Sequence, residues 1–348
     1  MRKCCGNCFG DTFLTQQIEL LAQETGNCEF CLSSGVKLIE PCKLIDHFEI
    51  VVGLYQENDD PGACSIESLL RTDWELFGKL DSVKAEMLLG LVFNNISMLQ
   101  KNYTPVIPHD ASAVREWEDF REELKHRNRF FPKNILATEQ LKELFGYFVA
   151  TPENIPNKVF RARICEQPHP YLLEDMGKPP ATVTGNGRAN PVGIPCLYVA
   201  SDTATAIAEI RPHKAEIVCV AEFEVIEIVN EAGVVEKLKL IDLRSPRKTL
   251  SPFDLFEEQL QLLRRYMEYL CRLSEELTLP VLPKSANLEY LPSQYLCEFI
   301  KHCEYDGVIY RSAMGVGVNY AIFNDSKVTG IDVRQYRIDN ITVVHSEM

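Results

Sequence analysis

The chain has 348 residues, 46% of them hydrophobic, with a formal net charge of −14. That length predicts two or three domains and that composition a real core, while an acidic balance with no long run of Lys or Arg argues against a nucleic-acid partner. No apolar run reaches the length of a membrane span, and the first ten residues lack the apolar stretch of a signal peptide, so the expected setting is the cytoplasm.

The 13 cysteines, an odd number in a chain of this kind, suggest thiols and metal ligands rather than a disulfide framework. Cys5 and Cys8 form one CxxC pair, Cys28 and Cys31 another, with nineteen residues between the pairs. Two such pairs supply four soft ligands, enough to close a tetrahedral structural zinc site and leave no open position for catalysis. Cys4 could stand in for Cys5, and Cys42 is a spare. The bland alternative is four buried or redox-active thiols. Between the pairs a short helix is expected, capped by Asp11 or Thr12, with Leu14, Ile18 and Leu21 on one face and Gly26 and Asn27 at its end. A module this short needs the metal to fold. Cys196, Cys219, Cys271 and Cys297 sit in apolar runs and read as small buried hydrophobes.

From 43 to 150 the pattern is mainly helical. Apolar residues recur at helical spacing over 65–70 and 82–99, then 113–127 is strongly charged with Trp117 and Phe120 on one side, and 138–148 carries the stripe Leu141, Leu144 and Phe145. Glu116, Asp119, Glu122 and Glu123 are better read as a solvated helix face than as acid–base groups.

The texture changes after Pro156. Strands are expected at 159–164, 196–200, 217–225, 308–310 and 319–323, with further strand-like stretches at 330–336 and 341–345. The 217–225 stretch alternates as a half-buried strand would. Helices are expected at 203–211, capped by Asp202, at 254–277 and at 292–302. A polar loop over 166–193 contains a Gly/Asn/Pro segment around Arg188. The fold class is α+β: a C-terminal mixed sheet with helices, preceded by a small zinc module and a mainly helical segment. The expected parts are 1–45, 46–150 and 151–348.

Three segments resemble one family: FRAR at 160–163, GRANPVGIPCLYVASDTATAIAEIRP at 187–212, and DGVIYRSAMGVGVNYAIF at 306–323. They resemble the RES domain, named for characteristic Arg, Glu and Ser residues, and the stretch they span is about half the chain, in the family's order and spacing. The front part is similar to the HEPN/RES N-terminal region. The resemblance implies an ADP-ribosyltransferase-like fold, NAD as substrate and, in many members, a role as the toxin of a toxin–antitoxin pair. It places the early arginine at Arg161, with Arg163 close behind, the loop arginine at Arg188, the aromatic at Tyr198, the acid at Glu209 and the serine at Ser312. Where many members have an aromatic after the loop arginine, this chain has Ala189.

On that basis Glu209, Arg188 and Ser312 are the expected catalytic set, and Arg161, Arg163, Tyr198 and Asn190 the substrate-binding set. A carboxylate near the ribose suits an oxocarbenium-like transition state, and arginine forks suit a pyrophosphate. Ser312 has no His–Asp partners in sequence and reads as a positioning group rather than a nucleophile. Read singly, Tyr198 would be core, and Glu209, Arg161 and Arg163 are equally surface charges. The functions in view are NAD cleavage with water or phosphate as acceptor, ADP-ribosyl transfer to a protein, and a non-catalytic module that binds a partner. An antitoxin or regulatory partner and homo-oligomerisation stay open, as does the choice between Arg161 and Arg163.

Overall fold

The computed structural model describes residues 2–133, 138–167, 169–229 and 233–342. Contacts divide the chain into two compact units, Met1–Val114 with Ser245–Leu270, and Arg115–Arg244 with Cys271–Met348. Among the described residues no helix is long and apolar enough to cross a membrane.

In the first unit, Asp11 caps the helix Thr12–Leu21 by accepting a hydrogen bond from the Leu14 N–H at 2.8 Å. Leu14 and Ile18 are buried, but Leu21 is 47% exposed. The helix stops there, short of the Gly26–Asn27 end expected from sequence, because the next residues find backbone partners in a sheet. Strand β1 (Glu24–Gly26) pairs antiparallel with β2 (Val36–Leu38). Three helices follow, Ile45–Val52, Ile66–Trp74 and Ser82–Phe93, the last two capped by Ser65 and Asp81. The third ends at left-handed Asn94, earlier than the expected residue 99. Strands β3 (Tyr55–Glu57) and β4 (Tyr103–Pro105) pair antiparallel. Phe48 packs on Phe9 and Phe253, with ring centroids 5.6 and 4.8 Å apart, so the late segment supplies part of this core. A buried polar knot lies beside it: Asp73 accepts from Tyr55 at 2.8 Å and Arg264 at 2.7 Å, with His109 at 3.3 Å.

The second unit is built on a seven-stranded mixed sheet in the order β10 (Leu240–Asp242), β11 (Gly307–Arg311), β12 (Val318–Ile322), β6 (Leu197–Ala200), β5 (Lys158–Ile164), β7 (Ile217–Val225) and β13 (Val328–Arg337). A two-stranded ribbon, β8 (Ile228–Val229) with β9 (Val235–Glu236), leads to β10. The pairing of β10 with β11 is parallel and the other pairings are antiparallel, so the α+β class holds. Ile341 and Thr342 are not in a strand, and the rest of that expected stretch lies outside the described residues.

Strand β7 departs from the half-buried expectation. Cys219, Ala221 and Phe223 face the main core with Val159, Leu197 and Ile309. Val220 on the other face joins Ala162, Ala200 and Ala206 in a second cluster. The small side chains of that cluster let the helix Thr203–Glu209 lie close against the sheet. This close packing sets the position of Glu209, the last residue of the helix.

Candidate functional site

The two CxxC pairs converge. Cys5 Sγ lies 3.4 Å from Cys31 Sγ and Cys8 Sγ 3.3 Å from Cys28 Sγ, and the four sulfurs all lie within 4.8 Å of one another. A tetrahedral tetrathiolate with metal–sulfur bonds of about 2.3 Å places its sulfurs about 3.8 Å apart, so these four residues could hold a metal ion. Cys4 is outside the set: its backbone pairs with Ile39 and its thiol faces the Ile39 carbonyl.

A larger feature lies in the second unit. Strand β5 pairs with β7 along seven residues but touches β6 through the single pair Phe160–Ala200. Where β5 and β6 diverge, a cleft of about 590 Å³ opens, and its walls include Arg161, Arg188, Tyr198, Glu209, Tyr310 and Asn319. That volume is in the range of a cofactor-sized site.

Glu209 reaches the cleft from the end of its helix, which Asp202 caps by accepting from the Thr205 N–H at 2.8 Å. Burial works against the Asp202 carboxylate, but its bonds from the Thr205 N–H and from the Thr205 and Ser201 hydroxyls hold its pKa below the usual value. An added Cβ at Gly317 would collide with Thr205 Oγ1 and Asp202 Oδ2, so only glycine lets the loop after Ser312 pass this cap. Ser312 donates to Glu209 Oε1 at 2.5 Å and accepts from the N–H groups of Met314 and Gly315 at 3.0 and 2.9 Å. Asn319 donates to the same oxygen at 2.7 Å. Among the described residues no hydrogen bond falls on Glu209 Oε2. The arrangement pins one carboxylate oxygen and leaves the other without a hydrogen bond among the described residues.

The three arginines differ. Arg161 is in the cleft wall, and its Nε and Nη1 are buried with no hydrogen-bond partner. Burial, then the like charge of Arg163, lowers its pKa, yet an arginine stays cationic. Arg163 instead donates to the Asp175 carbonyl at 2.7 Å and lies over the Tyr171 ring at 4.4 Å. Arg188 donates to the carbonyls of Glu276 and Leu279 at 3.0 and 2.8 Å, at the C-terminal end of the helix Glu257–Thr278, where the helix dipole favours a cation. It also faces the Tyr290 ring at 5.1 Å.

Tyr198 is in the cleft wall and also part of the loop's scaffold. Its hydroxyl donates to Asn190 Oδ1 at 2.7 Å and accepts from the Ala189 N–H at 2.8 Å. Burial raises its pKa well above the ordinary value. Asn190 is buried, and its Nδ2 donates to the Gly185 and Pro191 carbonyls, so its amide is occupied inside the loop. An added Cβ at Gly187 would collide with Asn190 Oδ1 and Tyr198 Oη. Ser293 and Gln294, buried at the start of the helix Leu291–His302, fasten the same loop through the Arg188, Gly187 and Asn190 carbonyls.

The structure thus brings Arg161, Arg188, Tyr198 and Glu209 to one cleft, with Ser312 bonded to Glu209. Arg163 and Asn190 are engaged elsewhere. Sequence reasoning missed Asn319 and Tyr310, although both lie inside the third family-like segment. A polar residue at the head of the apolar run NYAIF was the available signal for Asn319. Tyr310 is buried beside Glu209, and burial followed by that charge pushes its phenol far above the usual range.

A family model described as RES domain matches residues 158–340, just over half of the chain. Among solved structures the chain is similar to one in "Crystal structure of the M.tuberculosis MbcT-MbcA toxin-antitoxin complex", at 12% identity and a TM-score of 0.34, over 57% of this chain and 93% of that one. No curated protein matches the chain.

Proposed function

Because the chain belongs to the RES domain family, we propose that it cleaves the bond between nicotinamide and ribose in NAD, with water or phosphate as acceptor. The observation that carries this reading is Glu209, held on one oxygen by Ser312 and Asn319, in the same cleft as an arginine whose Nε and Nη1 have no partner. Nicotinamide leaves with the bonding pair, and positive charge develops on the ribose C1′ and ring oxygen. The free side of the Glu209 carboxylate stabilises that charge without reorganising. The acceptor oxygen then bonds to C1′; a water acceptor releases its proton to solvent, and an ionised phosphate oxygen has none to lose.

In this reading Arg161 supplies the cationic fork for the pyrophosphate. Arg188 spends two donors on helix carbonyls, so it fixes the loop and contributes its charge to the cleft. Tyr198 forms wall, and Ser312 positions the acid. We read Cys5, Cys8, Cys28 and Cys31 as ligands of a structural zinc that folds the front module, since four thiolates leave no position for substrate. Family membership further suggests a cytoplasmic toxin or defence effector restrained by an antitoxin or regulatory protein.

The test is incubation of purified protein with NAD, with and without phosphate, following nicotinamide and the ADP-ribosyl product. Glu209→Gln is expected to lower kcat about 100- to 1,000-fold while NAD still binds. Wild-type protein that releases no nicotinamide under either condition would sink the proposal. Label from NAD appearing on a protein in place of free product would shift the acceptor to protein.

A further inference from the structure

Resting on that reading of Glu209, we propose that Asn319 is the positioning residue that holds the acid in its working orientation. Glu209 is the last residue of a seven-residue helix, where the backbone does little to fix a side chain. Two groups hold it from outside. Ser312 hangs at the start of a loop containing Gly315, the fully exposed Val316 and Gly317. Asn319 sits within the sheet, paired with Tyr310 on β11 and Ala200 on β6, and is 5% exposed. Of the two supports it is the rigid one.

The chemistry of the contact is one-directional. An ionised carboxylate only accepts, so the amide nitrogen of Asn319 must face Glu209, as its 2.7 Å contact to Oε1 shows. Both donors fall on Oε1, which fixes the carboxylate in the cleft wall with Oε2 left unbonded. A side chain that only filled space at this position would need the size of asparagine but not its N–H.

The experiment uses Asn319→Leu and Asn319→Ala, which bracket asparagine in size and cannot donate a hydrogen bond, with kcat and KM for NAD measured by nicotinamide release and folding followed by thermal melting. The expected result is a fall in kcat of up to about 100-fold, the scale of a small misplacement of a reacting group, with KM little changed. In a Glu209→Ala background Asn319→Leu is expected to add no further loss, because a residue acting through Glu209 has nothing left to position. Wild-type kcat in either folded variant, a loss confined to KM, or an equal loss in the Glu209→Ala background would overturn the proposal. Failure of both variants to fold would assign Asn319 to the core and overturn it too. Wild-type protein inert toward NAD fails differently: the reading of the cleft falls first, and this role with it.

Discussion

Arg161 is a half-buried cation with two buried donors whose demand for acceptors is unmet by the protein, and replacing it with methionine tests whether a ligand meets that demand. Its Nε and Nη1 are shielded from solvent and unpartnered. Each such donor costs about 1–3 kcal/mol in the free protein. Methionine fills a similar volume without polar atoms and removes both unmet donors, a gain of at least about 1 kcal/mol. At about 2–4 °C per kcal/mol for a domain of this size, Arg161→Met is expected to raise the melting temperature by at least about 2 °C. Binding should move the other way. A charge-assisted hydrogen bond is worth about 1.5–3 kcal/mol, so KM for NAD is expected to rise about 10- to 100-fold. If the pyrophosphate contact is uniform along the reaction, kcat changes less. Differential scanning calorimetry without NAD and nicotinamide-release kinetics measure the two effects. Arg163→Met is the control: that guanidinium is already bonded to the Asp175 carbonyl and stacked on Tyr171, so its loss should leave KM near wild type. An Arg161→Met protein that melts lower and keeps its KM would refute the reasoning, and so would a raised KM in Arg163→Met alone.

Gly187→Ala is expected to cost about 1–3 kcal/mol and to lower activity, since its Cβ would collide with Asn190 and Tyr198 under the Arg188 loop; chemical denaturation and NAD turnover report both. Asp73→Asn should destabilise by about 3–5 kcal/mol at neutral pH by leaving Arg264 without its buried partner. Burial works to raise the Asp73 pKa, but the His109 hydrogen bond and the Arg264 charge outweigh it and hold the carboxyl below its usual value. Its contribution is therefore full above the unfolded value of about 3.9 and lost as pH falls through the lower native one, so urea melts at descending pH should show a shallower acid limb in the variant. Cys8→Ser, or a strong chelator, should remove one bound zinc per chain and unfold the front module, read by elemental analysis and protease sensitivity.

The features legible in sequence were those that local chemistry determines. CxxC spacing brings two thiolates to one point whatever surrounds them, and the four sulfurs are indeed gathered. Asp202 and Asp11 announce helix starts because a cap acts within three residues. The end of the first helix was not legible, because β2, well beyond it at Val36–Leu38, decides it by offering β1 a partner. Nothing local in 245–270 marks it as packing with the first 114 residues; Phe253 reads as one more aromatic until Phe48 is seen beside it.

The same division explains the cleft. Sequence names residue types that suit NAD chemistry but not which of their atoms are already spent. Arg161 and Arg163 are two residues apart on one strand and equally suitable by composition, yet one is bonded to a carbonyl and the other is left without partners. Asn190 and Tyr198 look like ligand contacts and turn out to bond each other, which makes the Arg188 loop stiff rather than adaptable. Asn319 was passed over as a strand residue although it makes a direct bond to the acid. Cationic and amide groups become informative only once their hydrogen bonds are counted. In this cleft that count draws out the Arg161 guanidinium and Glu209 Oε2 as groups with capacity left over, and the proposed reading assigns them to a phosphate and to a developing ribosyl cation.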